Sequence, residues 1–156
     1  MKTTWTKFSP LEAFLRVLIL RNAKNQTQTI MTTPTETDAL VTAVNEGSAR
    51  WIAAFNSGDA QGCAEAYEGD AVMNAHPMGT FNGRTEILAF WTKLIGDGFA
   101  EVEYIDPQVE VLDSSKAVIK ASWKMNKAKG IIHRELWVLQ KDGTAKLRAD
   151  DFEVTG

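Results

Sequence analysis

The sequence predicts an α+β fold in which a curved, mainly antiparallel sheet wraps around three helices. Its 156 residues suffice for one domain and leave little room for two. Between residues 38 and 95 apolar side chains recur at steps of three and four, which is the helical period. After residue 101 they alternate, which is typical of strands. Helices followed by a run of strands indicate an α+β layout, and a curved sheet would bury both sets of apolar faces.

Three helices are predicted in the first part of this region. The first spans residues 38–56, presents one apolar stripe and ends at Gly58. Asp59 follows, and aspartate is a residue type that caps helices. A short second helix is therefore expected to begin after Asp59 and to include Tyr67. The third helix spans residues 84–95 and stops at the glycines that come after it.

Five strands are predicted around and after the third helix. The first of them ends at His76 because Pro77 follows, and residues 79–83 read as a turn region. Pro107 marks a bend or bulge in the second strand. The predicted strands span residues 70–76, 101–113, 116–127, 131–140 and 144–154.

Charge and composition exclude several classes of function. Residues 1–30 carry a net charge of +4 and the remaining chain −7, which argues against nucleic-acid binding because phosphate contacts need clustered Lys and Arg. The lysines within residues 116–129 follow the solvated face of a strand. No stretch reaches the roughly 18 apolar residues of a membrane span, so no stable membrane insertion is expected. We expect a cytoplasmic protein without a cofactor, since no glycine-rich phosphate loop is present, and with its single Cys63 inert in the core.

The N-terminal part of the chain differs in character from the rest. Residues 1–37 are predicted to be an extension to a single domain at 38–156, and Met31 opens a stretch typical of a protein start. We therefore expect Met31 to be an alternative start. The alternative is a basic amphipathic helix around residues 11–20 that docks on the domain or on a partner.

The last predicted hairpin brings two carboxyl groups together. Asp142-Gly143 is a strong hairpin signal, and a two-residue turn there places Glu135 opposite Asp150. The same register places Trp137 opposite Arg148 and His133 opposite Phe152 on one face of the sheet. A bulge would bring Asp151 into the place of Asp150. Opposed carboxyl groups in an apolar pocket raise each other's pKa, which is typical of a general acid–base site, whereas in a half-solvated sheet they are ordinary polar residues compensated by Arg148 or His133.

Three segments resemble the nuclear transport factor 2-like α+β cone proteins, which include ketosteroid isomerases and SnoaL-type polyketide cyclases. Residues 50–59 (RWIAAFNSGD) are similar to their first helix and Gly-Asp turn, and residues 67–71 (YEGDA) to the opening of their first strand. Residues 83–91, with Gly83-Arg84-Thr85-Glu86-Ile87 and Phe90-Trp91, look like their third helix. The resemblance covers about residues 38–154 and implies a cone-like α+β barrel that hosts isomerases, epoxide hydrolases, dehydratases, cyclases or binding modules.

The resemblance to ketosteroid isomerases also implies site residues. Their oxyanion-hole tyrosine falls on Trp51, their base near His76 and their oxyanion-hole acid on Glu135, so only the last keeps its chemistry. His76 and His133 both fall on positions that face into the cone, and no spacing supports a metal site. The predicted catalytic residues are Glu135, Asp150, His76 and His133, and the predicted ligand-binding residues are Trp51, Trp91, Tyr104, Trp123, Met125, Trp137 and Phe152.

Three functions follow from this pocket. The first is an enzyme that isomerises, dehydrates or hydrates a hydrophobic small molecule, with Glu135 and Asp150 exchanging protons. The second is a non-catalytic binding module, and the third is an association domain that uses its outer sheet face. The even positions of the predicted strand point away from Glu135 and carry Ile132, Leu136 and Val138, so we expect an apolar outer face. We expect this face to be covered, either by a second copy in a homodimer or by residues 11–20.

Overall fold

The computed structural model describes residues 17–21, 27–31 and 35–156. Three helices and a six-stranded sheet form the domain, in agreement with the predicted α+β class. The helices are α1 (Glu36–Asn56), α2 (Ala60–Glu65) and α3 (Gly83–Gly96). The strands are β1 (Val17–Arg21), β2 (Thr27–Met31), β3 (Tyr67–His76), β4 (Gly79–Asn82), β5 (Glu103–Val111), β6 (Lys116–Lys124), β7 (Lys129–Leu139) and β8 (Ala145–Val154).

Local signals in the sequence explain where the helices begin. Thr35 caps α1 in a capping box, in which its side chain accepts from the Asp38 N–H and the Asp38 carboxylate accepts from the Thr35 N–H. Asp59 caps α2 by accepting from the Gly62 N–H, as predicted. Tyr67 lies beyond α2 and begins β3, so its predicted place in the second helix was wrong.

The sheet curves but does not close. Its strand order is β4-β3-β8-β7-β6-β5, with β3 and β8 parallel and the other neighbours antiparallel. Strands β4 and β5 are its two edges, so the expected barrel is an open sheet. The prediction of a plain turn at residues 79–83 was also wrong, because residues 79–82 pair with β3 as strand β4.

A longer loop and a bulge shape the last hairpin, and together they preserve the pairing of the two carboxyl residues. The loop has three residues rather than two, since the Gln140 N–H bonds to the Thr144 carbonyl. This shifts the register by one residue, so Trp137 lies opposite Leu147 rather than the predicted Arg148. Arg148 is the extra residue of a bulge that restores the predicted register, and Glu135 therefore lies opposite Asp150.

A second bulge in β7 alters the predicted faces further along the strand. Arg134 lies opposite Asp151 and Ile132 opposite Phe152, which leaves His133 as the extra residue. Ile132 consequently turns into the main core instead of the outer face that was predicted for it. Leu136 and Val138 do lie on the outer face, where they form a separate buried cluster with Val118 and Ala149.

The main core lies between the helices and the inner face of the sheet. Trp51 and Phe55 of α1, Ile87 and Trp91 of α3, and the inward residues of the strands form one buried cluster. Helix α1 approaches β7 closely at Gly47, where a Cβ atom would lie 2.7 Å from Cζ3 of Trp137. The absence of a side chain at this position therefore lets the helix pack directly on the ring.

The N-terminal segment is described only as a hairpin of β1 and β2, paired antiparallel in a sheet of its own. Residues 17–20 belong to strand β1. The alternative of an amphipathic helix was therefore wrong for these residues. The rest of that predicted helix, and its docking, lie outside the described residues. None of the described helices is long and apolar enough to cross a membrane.

Candidate functional site

Glu135 and Asp150 form a buried pair of carboxyl groups at the centre of the inner sheet face. They are register partners on β7 and β8, and only 3% and 4% of their surfaces are exposed. Such burial excludes the alternative that they are ordinary polar residues of a half-solvated sheet. Asp151 points the other way, where its side chain is 38% exposed, so Asp150 is the inward aspartate.

The two carboxyl groups accept different numbers of hydrogen bonds. Glu135 accepts from the Tyr104 hydroxyl at Oε1 (2.6 Å) and from the Trp137 indole N–H at Oε2 (3.0 Å). Asp150 accepts from the Tyr67 hydroxyl at Oδ2 (2.7 Å), while its Oδ1 has no hydrogen-bond partner among the described residues. Two donors favour the ionised form of Glu135 more than one donor favours that of Asp150.

Burial controls the protonation of the pair. Desolvation raises the pKa of Glu135 to about 7, although the bonds from Tyr104 and Trp137 partly oppose this rise. Desolvation, and then the charge of Glu135, raise the pKa of Asp150 well above its ordinary value, and the Tyr67 bond opposes them only in part. The pair therefore carries at least one proton near neutral pH. Asp150 stays protonated to a higher pH than Glu135.

A narrow pocket opens beside this pair. Its interior has a free volume of about 20 Å³, room for about one water molecule, and it reaches about 310 Å³ when the space open to solvent is included. Half of its ten lining residues are aromatic, and the ring centroids of Trp51 and Trp91 lie 5.0 Å apart in an edge-to-face contact. The lining residues are Trp51, Trp91, Val102, Tyr104, Trp123, Met125, Ile132, Glu135, Asp150 and Phe152.

This wall contains most of the residues predicted from the sequence. Trp51, Trp91, Tyr104, Trp123, Met125 and Phe152 all lie on it, as do both carboxyl residues. Val102 and Ile132 were not predicted, and Ile132 was missed because the bulge at His133 reverses its face. Trp137 was predicted to contact a ligand, but it lies behind Glu135 and holds that carboxylate through its indole N–H.

The two histidines lie outside the pocket, contrary to the prediction. His133 is the extra residue of the β7 bulge, so it turns to the surface and its Nε2 lies 2.8 Å from Oε2 of Glu153. His76 alternates with the inward Ala75 on β3 and pairs with Asp151 at 3.2 Å. Their side chains are 46% and 56% exposed, respectively. Neither histidine lines the pocket, so the prediction that His76 and His133 face into the cone beside the carboxyl pair was wrong.

Arg148 does not compensate the pair either. It turns outward at its bulge, and its Nε lies 2.7 Å from Oε1 of Glu68. Among residues 35–156, no basic side chain lines the pocket, and no group of three or more His, Cys, Asp or Glu side chains is placed to hold a metal ion.

Tyr67 is a site residue that the sequence reasoning missed. Its ring is fully buried at the start of β3, and its backbone carbonyl accepts from Nε and Nη2 of Arg84 on α3. This anchor sets its hydroxyl against Asp150. Alternation offered a signal, because steps of two from the inward Ala75 and Met73 lead back to Tyr67.

Comparison with known proteins identifies the family. The family model of the SnoaL-like domain matches residues 48–148, which is more than half of the chain. The chain belongs to the SnoaL-like family. A comparison with curated protein sequences gives no match for this SnoaL-like chain.

Solved structures support the fold of this SnoaL-like chain. A protein of unknown function with a cystatin-like fold from Nostoc punctiforme has a TM-score of 0.65 at 14% identity, over 78% of this chain and 93% of the other. A ketosteroid isomerase-like protein from Erwinia carotovora atroseptica has a TM-score of 0.64 at 12% identity, over 74% and 95%. A hexachlorocyclohexane dehydrochlorinase gives 0.64 at 11% identity, over 78% and 88%. These similarities show a shared nuclear transport factor 2-like fold.

Proposed function

We propose that this SnoaL-like protein is an enzyme that performs acid–base chemistry on a small hydrophobic molecule. The observation that carries the proposal is the buried Glu135–Asp150 pair, which holds a proton near neutral pH at the wall of an aromatic pocket. A carboxyl pair with different pKa values supplies an acid and a base in one site. Proton transfer of this kind needs no organic cofactor.

The hydrogen bonds suggest a role for each carboxyl group. Asp150 keeps its proton best and has a free Oδ1, so it acts as the acid that protonates an oxygen of the substrate. Glu135 is ionised first because two donors stabilise its carboxylate, so it acts as the base that takes a proton from the substrate or from a water molecule. One proton enters the substrate and one leaves it, which is the balance of an isomerisation. A dehydration releases water in addition.

Trp137, Tyr104 and Tyr67 are positioning residues in this scheme. Trp137 and Tyr104 each donate to one oxygen of Glu135 and hold its carboxylate in place. Tyr67 donates to Oδ2 of Asp150, which leaves Oδ1 of Asp150 available to a substrate. The fold relatives named ketosteroid isomerase-like protein and dehydrochlorinase have names that fit proton-transfer chemistry, which supports the same reaction class.

The experiment that tests this function is a screen in D₂O, read by NMR and mass spectrometry. Neutral and charged cyclic compounds are incubated with the protein, and deuterium uptake, loss of water or rearrangement is recorded. We expect a protein-dependent change that Asp150→Asn and Glu135→Gln each abolish, whereas Asp151→Asn, which alters only the outward neighbour, leaves it intact. Saturable binding of a compound that undergoes no change would instead make the protein a binding module.

We also propose that a second copy of the chain covers the outer sheet face in a homodimer. Val118, Leu136 and Val138 are only 3%, 9% and 6% exposed within one chain, so they do not by themselves need a partner. Support comes from two outward apolar side chains of strands β3 and β7, Val72 and Ile131, which are 37% and 40% exposed and which a second copy would cover.

A further inference from the structure

Four buried polar atoms of pocket-lining residues have no hydrogen-bond partner among the described residues. They are Nε1 of Trp51, of Trp91 and of Trp123, and Oδ1 of Asp150. Their residues are at most 5% exposed, so bulk water does not replace the missing partners. A buried polar group without a partner costs about 1–3 kcal/mol, and native proteins contain few of them.

Among the described residues, four of the five buried side-chain polar atoms without a partner belong to pocket-lining residues, and the fifth is Oγ of Ser48 outside the lining. Trp137 shows that a buried indole N–H of this protein is paired when it lies away from the pocket wall, since it donates to Glu135. The Trp91 N–H faces the Tyr67 hydroxyl, although no hydrogen bond of standard geometry joins them. The unpaired atoms of Trp51, Trp123 and Asp150 belong to lining residues of one pocket, so a single bound molecule could contact them.

All three groups act as donors when Asp150 carries its proton. An indole N–H can only donate, and a protonated Oδ1 donates as well. Desolvation and the charge of Glu135 favour that protonated form of Asp150. The pocket therefore offers donors and lacks a matching acceptor, which a ligand has to bring.

The charges on the pocket wall restrict the ligand further. The ionisable lining residues are Tyr104, Glu135 and Asp150, and none of the lining residues is Lys, Arg or His. An anionic ligand would place its charge beside Glu135 without a cation to balance it, which is costly in a dry site. A cationic ligand would leave both indole N–H groups without an acceptor.

We propose that the pocket binds an uncharged molecule whose acceptor oxygen, such as a carbonyl oxygen, takes hydrogen bonds from the Trp51 and Trp123 indoles and from Asp150. The proposal rests on the proposed function, because it names the substrate class of the same site. The aromatic residues of the wall favour a flat apolar body, because ring faces pack well against another ring. The small interior volume favours one ring rather than several and requires the side chains to move apart on binding.

The test measures binding rather than turnover. Four probes of similar size differ in polarity: acetophenone carries a neutral acceptor oxygen, ethylbenzene lacks it, benzoate is an anion and benzylamine is a cation at neutral pH. Cyclohexanone and cyclohexane repeat the first comparison at smaller size. Indole N–H signals in ¹H–¹⁵N NMR spectra report hydrogen bonding directly, and the signal of Trp137, already bonded to Glu135, is an internal control.

We expect saturable binding of acetophenone or cyclohexanone with downfield shifts of the Trp51 and Trp123 N–H signals. The matched hydrocarbon should bind about tenfold more weakly, the factor that one net hydrogen bond supplies. Trp51→Phe and Trp123→Phe keep a ring but remove the donor, so each should reduce that preference while the Trp137 signal stays in place.

Tighter binding of benzoate, benzylamine or the hydrocarbons would overturn the proposal, as would the absence of binding by both oxygen-bearing probes. These outcomes are separate from those of the D₂O screen. Binding of acetophenone without any turnover supports this ligand class and rejects catalysis. Turnover of a charged compound supports catalysis and rejects this ligand class.

Discussion

Glu135→Gln tests whether the buried pair governs the stability of the fold. The folded-state pKa of Glu135 is about 7, against an ordinary value of 4.5. A raised folded pKa means that the native state binds its proton more tightly than the unfolded chain does. The stabilisation from this group is therefore fully present below pH 4.5 and is lost as the pH rises to about 7.

The size of the effect follows from the two pKa values. Between pH 5 and pH 8 the ionisation of Glu135 should lower the free energy of unfolding by roughly 2–3 kcal/mol. Glutamine carries no titratable proton, so the variant should lose that part of the pH dependence. Its amide can accept only one of the bonds from Tyr104 and Trp137 without a clash of donors, so a loss of about 1–2 kcal/mol at all pH values is expected as well.

The assay is urea unfolding of both proteins from pH 5 to pH 8. We expect the gap between wild type and Glu135→Gln to narrow or reverse as the pH rises. Glu110→Gln, at an exposed position on the edge strand β5, is the matched control and should keep the wild-type pH profile. Parallel profiles for wild type and Glu135→Gln would refute the conclusion that Glu135 holds a proton in the folded state.

Three other predictions concern the surroundings of the site. Tyr67→Phe removes a donor to Asp150 and should raise the pKa of that carboxyl further while costing about 1 kcal/mol, as carboxyl NMR titration and urea unfolding would show. Gly130→Ala would bring a Cβ atom against the Glu153 carbonyl oxygen and 2.5 Å from Cζ2 of Trp123, so it should lower stability by about 1–3 kcal/mol, whereas Gly69→Ala meets nothing within 4 Å and serves as its control. Sedimentation at micromolar concentration should give twice the mass of one chain, and a clean monomer would reject the homodimer.

Much of the fold was predictable because its signals are local. Capping residues, glycine stops and the change from helical to alternating periodicity identified three helices and the long strands to within a few residues. Strand β4 was not predicted, because residues 79–82 contain two turn-forming residues, Gly79 and Asn82. These residues pair with β3 only in the tertiary structure.

The site was predictable where the alternation of the strands is uninterrupted. Glu135, Asp150 and the aromatic wall follow from the hairpin and from the apolar faces. His133 and Ile132 were misplaced because a bulge in β7 reverses the faces beyond it, and no residue pattern in β7 identifies His133 as the extra residue. His76 was placed by the resemblance, whereas on β3 it faces outward beside the inward Ala75. The correct pairing of Glu135 with Asp150 depended on two departures that cancel, a longer loop and a bulge at Arg148.

A shared proton on the Glu135–Asp150 pair is measured most directly by NMR titration of the two side-chain carboxyl carbons. We predict that the pair releases a first proton near pH 7 and retains a second well above it, with Asp150 carrying most of the retained proton. Glu135→Gln and Asp150→Asn assign the two signals. Two carboxyl groups that are both fully ionised at pH 6 would contradict the proposed acid–base site.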